Sequence, residues 1–141
     1  MAERAAYYFT SWMFHYDPLY ENTSEIREYH VTIKGLTSVS AQHHHLDMYA
    51  GIADPYLRTL ADLTGDEKWR IRADMMWRAV TQYIGDGTLA VHGIVRPVGS
   101  QNEALFHCRW GFADGRRGQL NDWLVAWPCA FRLSVLATEA F

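Results

Sequence analysis

The chain has 141 residues, of which 49% are hydrophobic, 14% aromatic and 21% charged, with a formal net charge of -3. That length suits one domain that buries roughly two-thirds of its unfolded surface, and the mild acidity excludes the basic footprint of a nucleic-acid binder. No run of roughly 18 apolar residues occurs, so no membrane span is expected, and Met1-Ala-Glu-Arg-Ala lacks the basic-then-apolar order of a secretion signal.

The elements can be read in chain order. Ala2 to Tyr16 carries Ala5, Phe9, Trp12, Met13 and Tyr16 at the helical period. Asp17-Pro18 stops that helix, because a residue before proline is pushed out of the helical region. Asn22 to Ser40 is polar and irregular, with a short extended piece expected at Tyr29–Ile33. Ser38 or Ser40 can then cap a helix by offering a side-chain oxygen to its first unpaired N–H groups.

The helical region from Ala41 to Leu63 is apolar on most faces, and Asp54-Pro55 interrupts it. Proline there is either the first residue of a second helix or the site of a kink. Three histidines and Asp47 fall in the first turns, and residues three or four apart share a face. His43 and His44 therefore lie near Asp47, whereas His45 points away. Thr64-Gly-Asp-Glu67 fits a capping box, with hydroxyl and carboxylate each serving the other's backbone N–H. The helix it opens, Gly65 to Ile84, is amphipathic, with Trp69, Ala73, Met76, Trp77, Val80 and Ile84 on one side. The pair Trp69 and Trp77 reads as core packing.

Seven of the ten glycines fall between Gly85 and Leu120, and the helical pattern breaks there. Thr88–Val95 and Leu105–Trp110 read as short strands pairing across the Pro97-Val-Gly-Ser100 turn. A connection of that length is functional or disordered in most compact domains, and its aromatics argue for order. Arg116-Arg117 reads as a wet turn. The last helix starts near Asn121 and is apolar nearly all round to Leu136, with Pro128 near its first turns. Cys108 and Cys129 make neither a disulfide framework nor a zinc set; they read as reduced thiols of a cytoplasmic protein.

Two of these helical regions are apolar on most of their circumference and two have a wet face. A helix apolar all round must be covered on all sides, so the order reads outer, inner, outer, inner. The expected fold is mainly α, with helical hairpins of the α/α-toroid kind and a long Gly-rich loop holding a short β-hairpin. Four helices cannot enclose two inner ones. A missing remainder of the barrel, or burial of an apolar face against another copy in a homo-oligomer, is expected to cover them.

The run Leu60-Ala-Asp-Leu-Thr-Gly-Asp-Glu-Lys-Trp69, passing from an inner helix to an outer one, resembles the hairpin link of six-hairpin (α/α)6 glycosidases. Val39-Ser-Ala-Gln-His-His-His-Leu-Asp47 and Asn121-Asp-Trp-Leu-Val-Ala-Trp127 resemble inner-helix entries in bacterial members, with the unsaturated glucuronyl hydrolases as the first relatives to compare. The resemblance runs from about Gly35 onward, and its most specific part is the hairpin link. A full barrel needs twelve helices, so residues 1–141 resemble a single domain that is a C-terminal segment of a larger barrel.

The resemblance implies a carbohydrate-processing site at the N-terminal ends of the inner helices, where free N–H groups suit hydroxyls and uronates. His43, His44 and Asp47 would come from one helix, and Asn121, Asp122 and Trp123 from another. The long loop would add His92, Arg96, Gln101, Glu103 and Trp110. Glycoside hydrolysis needs one protonated carboxyl and a second carboxylate across the bond, and Asp47, Glu103 and Asp122 are the candidates. Histidine can orient or shuttle a proton near neutral pH. Arg96 can grip a uronate carboxylate bidentately, and Trp110 or Trp123 can stack on a sugar ring. The expected partner is an oligo- or polysaccharide, with no nucleic acid, no membrane and no cofactor.

Plainer roles compete for the same residues. Asp122 suits a first-turn helix charge, Asp47 suits pairing with His43 or His44, and Glu103 suits a solvated loop. A metal reading uses His43 and Asp47 at i, i+4 with His30, His92 or His107, but no second pair has ligand spacing. The function is thus read as part of a carbohydrate-active enzyme, a glycoside hydrolase before a polysaccharide lyase. The alternatives are a non-catalytic helical module that associates through its apolar face, and a His/Asp metal-binding helical bundle.

Overall fold

A computed structural model describes residues 1–17, 30, 32–38, 46–47, 50–82, 84–88, 90–91, 94–100, 104–106, 130, 133 and 136–137. The described part is mainly α: helices of 9, 15 and 15 residues stand against strands of two or three residues.

Helix α1 spans Ala2–Thr10 and ends six residues before the apolar stripe does. Its last hydroxyl residues turn back onto the helix. Thr10 Oγ1 donates to the Ala6 carbonyl at 2.8 Å and Ser11 Oγ to the Tyr8 carbonyl at 2.6 Å. Such back-bonding competes with the helix ladder and weakens it. Beyond the stop, Met13 forms an antiparallel bridge with Thr37. Phe14 N–H donates to the Leu36 carbonyl and Gly35 N–H to the Phe14 carbonyl, at 2.9 and 2.8 Å. Phe9 and Met13 still reach the core, so their spacing served burial without a continuous helix.

Helix α2 spans Ala50–Thr64 and runs through Pro55. An interior proline removes one ladder bond and crowds the carbonyl four residues back; the helix nevertheless continues through it, so Pro55 does not open a second helix. Helix α3 spans Glu67–Thr81. The ion pairs Arg58–Asp74 and Asp62–Arg70 run between α2 and α3 with falling numbers against rising ones, so the two helices form an antiparallel hairpin.

The expected capping box at Thr64–Glu67 is displaced. Gly65 adopts the left-handed conformation at φ +69 and its N–H returns to the Ala61 carbonyl at 2.8 Å, which closes α2. With Gly65 closing one helix, the next cannot begin until Asp66, whose carboxylate accepts from the Lys68 N–H at 3.1 Å. Thr64 Oγ1 instead donates to the Leu60 carbonyl at 2.7 Å. A carboxylate with an acidic neighbour, Glu67, complements the positive helix end equally well.

The core lies between these elements. Trp69, Ala73, Met76, Ala79 and Val80 from α3 meet Leu57, Leu60 and Ala61 from α2, with Met13, Ile33 and Leu36 closing one side. Trp69, Ala73, Met76 and Val80 are thus on the side that their spacing predicts. The roles of the two helices differ from expectation. The amphipathic α3 supplies the most deeply buried side chains, whereas α2 leaves Ile52, Tyr56 and Leu63 exposed. The helical residues Ala130, Leu133, Leu136 and Ala137 are exposed as well.

Five short strands complete the described part. Strands β1 (Thr37–Ser38), β2 (Leu46–Asp47) and β5 (Ala104–Phe106) form one antiparallel sheet in the order β1-β2-β5. Strands β3 (Ala90–Val91) and β4 (Ile94–Val95) form a separate antiparallel pair, with only His92 and Gly93 between them in sequence. The pairing expected across Pro97–Ser100 is therefore replaced by two others: Ala90–Val91 pairs with Ile94–Val95, and Ala104–Phe106 joins β2. The turn itself is present, with Ser100 N–H donating to the Pro97 carbonyl at 3.0 Å and Gly99 at φ +78. That φ at the third turn position is the type II arrangement, which favours glycine.

Candidate functional site

The sheet carries the first correction to the expected site. Asp47 belongs to β2, not to the opening turns of a helix, and the helix begins three residues later at Ala50. Ser38 lies in β1, not at a helix start. The i, i+4 helical geometry that set His43 beside Asp47 does not apply, and with it goes the helix-face argument for a His43–Asp47 metal pair. The reason is tertiary. β2 is hydrogen-bonded on both sides, and a short apolar run cannot by periodicity alone be told from a helix segment.

What the sheet brings together is different. Asp47 is the register partner of Thr37 on one side and of Ala104 on the other. Ala104 directly follows Glu103 in sequence, and positions 47 and 104, 57 residues apart in the chain, meet through one backbone ladder. The register shifts at this point: Leu46 pairs with Phe106 and Asp47 with Ala104, leaving Leu105 as the extra residue. A bulge of this kind bends the strand and re-aims side chains, and it is over-represented beside active sites.

Arg96 lies in the connection after β4 and is buried, 7% exposed. The loop that holds it is tied at its base. Gly85 N–H donates to the Ser100 carbonyl and Gly99 N–H to the Gly85 carbonyl, both at 2.7 Å. Gly85 is required by contact: a Cβ there would stand 2.5 Å from Ser100 Oγ and 2.7 Å from the Pro97 carbonyl. The candidate residues His43, His44, His92, Gln101, Glu103, Trp110, Asn121, Asp122 and Trp123 lie outside the described residues, as do His107, Arg116, Arg117, Cys108 and Cys129.

Three charged constellations that the sequence reading did not single out are well placed. Asp54, fully buried on α2, receives Arg58 Nε at 2.6 Å, and an Arg58 terminal nitrogen meets Asp74 of α3 at 2.8 Å. Burial pushes the guanidinium pKa down, but the hydrogen bonds and charges of Asp54 and Asp74 outweigh this and hold it above its ordinary value. Asp54 and Arg58 were legible as an i, i+4 pair; Asp74 was not.

Asp17 forms the second. Its carboxylate accepts from Ile33 N–H at 2.6 Å, Lys34 N–H at 2.8 Å and Thr32 Oγ1 at 2.5 Å. Partial burial pushes its pKa up, yet the hydrogen bonds from Thr32, Lys34 and Ile33 and the Lys34 charge outweigh that and leave it below the usual carboxylate range. Gln82 of the α3 end grips the same loop twice, accepting from Thr32 N–H and donating to its carbonyl, both at 2.9 Å. No signal in the sequence marks Asp17 as a clasp, since its partners are 15 to 17 residues away.

The third joins α1 to α3. Tyr7 meets Trp69 edge-on at 4.8 Å between centroids, and Lys68 and Arg72 each stand over both rings, at 4.8 to 5.7 Å. Arg72 also donates to Thr10 Oγ1 at 2.9 Å, and Lys68 bonds the Asp66 carboxylate. That bond holds the Lys68 pKa above its ordinary value, with a further bond to Tyr7 adding to it, and holds Asp66 below its own. Both cations thus serve the packing of α1 on α3.

Among the described residues no group of three or more His, Cys, Asp or Glu is arranged to hold a metal ion, and no helix is long and apolar enough to cross a membrane. No protein-family model, no curated protein and no solved structure matches the chain.

Proposed function

We propose that the chain is part of a carbohydrate-active enzyme, a glycoside hydrolase before a polysaccharide lyase, in which Asp47 and Glu103 are the first candidates for the carboxyl pair. The observation that carries this reading is the β2–β5 register, in which Asp47 faces Ala104 beside a bulge. Paired residues on neighbouring strands have Cα atoms about 4.5–5.5 Å apart. Hydrolytic carboxyl pairs are about 5–9.5 Å apart, and the reading calls for Glu103, next to Ala104 in sequence, to bring its carboxyl within that range of Asp47. The α2–α3 hairpin, joined at Gly65-Asp66 within the segment that resembles a six-hairpin link, supports the same reading. In it the toroid is larger than the described helices, and Asp122, His43, His44 and the loop residues complete the sugar site.

The test is turnover of oligosaccharides that end in an unsaturated uronate, followed by loss of the ring's ultraviolet absorbance, beside saturated oligosaccharides as comparison. Asp47→Asn and Glu103→Gln are each expected to lower kcat by about a hundredfold or more while circular dichroism is unchanged. Wild-type turnover in both variants, or none by the parent chain on any of these sugars, would refute the assignment.

A second reading, a non-catalytic helical module that associates through its apolar face, is favoured by one observation. Ile52, Tyr56 and Leu63 on α2 are 43%, 72% and 80% exposed and recur at helical spacing. Sedimentation of the chain and of a Tyr56→Glu, Leu63→Glu variant distinguishes them: a higher-order species lost in the variant, with no sugar turnover, supports the module.

A further inference from the structure

No further inference is drawn: the strongest candidate, the exposed apolar stripe of Ile52, Tyr56 and Leu63 along α2, carries nothing beyond the second reading above because nothing in the structure shows what covers it.

Discussion

Trp69 offers the sharpest check on how this core is held. Its side chain is fully buried, and its indole N–H has no hydrogen-bond acceptor among the described residues. Trp69→Ala removes the largest buried side chain, which costs about 3–5 kcal/mol, and the edge contact with Tyr7 adds about 0.5–1.5 kcal/mol. Trp69→Phe behaves differently. The smaller ring opens roughly 40 Å³, about 1 kcal/mol at roughly 24 cal/mol per Å³, and forfeits about 1 kcal/mol more of transfer free energy, while deleting a buried donor without an acceptor returns about 1–3 kcal/mol. The net change is expected within about 1 kcal/mol of zero, against about 4–6 kcal/mol for alanine. Urea unfolding followed by far-ultraviolet circular dichroism measures both, and equal m-values are required for the comparison. At about 2–4 °C per kcal/mol for a chain of this size, the alanine variant melts roughly 8–24 °C lower and the phenylalanine variant near the parent. A phenylalanine variant losing more than half as much as alanine would mean that the indole N–H is satisfied, and the reasoning fails.

Two further outcomes test the loop and the turn geometry. Asp17 has a carboxyl pKa lowered in the folded chain. Its stabilising share is therefore complete above the unfolded carboxylate value, about pH 4, and is lost as pH falls through the lower folded value. Asp17→Ala should cost about 1 kcal/mol at neutral pH, the exposed setting discounting its three hydrogen bonds, and the difference from the parent should vanish at acid pH. A difference that does not shrink on acidification counts against the clasp. Gly35 stands at φ +95 with its α-hydrogen side against the Met75 carbonyl, which an added Cβ would overlap. Gly35→Ala should cost about 2–3 kcal/mol or more, whereas Gly65→Ala, at φ +69 in open space, should cost about 1–2 kcal/mol; equal losses in thermal melts would remove the argument from close approach.

Much of the fold was legible where one signal sufficed. The period of Trp69, Ala73, Met76 and Val80 located both the α3 helix and its buried side, because an amphipathic stripe is a local property. Pro97-Val-Gly-Ser100 announced its turn through glycine's access to positive φ. The capping residue was missed by two positions, since closing α2 and opening α3 draw on the same few residues and the left-handed Gly65 decided between them.

Of the candidate site, composition and motif chemistry nominated carboxylates, histidines and Arg96 as residue types, and nothing more than that was fixed by the chain alone. Tertiary pairing decided the rest. Whether Leu46-Asp47 is helix or strand depends on the neighbours that accept its backbone hydrogen bonds, and those neighbours lie near residues 37 and 105. A two-residue strand has no period to read. For the same reason Asp17, with donors contributed by Thr32, Ile33 and Lys34, and Asp74, reached by Arg58 across a helix hairpin, became visible only when the chain had closed on itself.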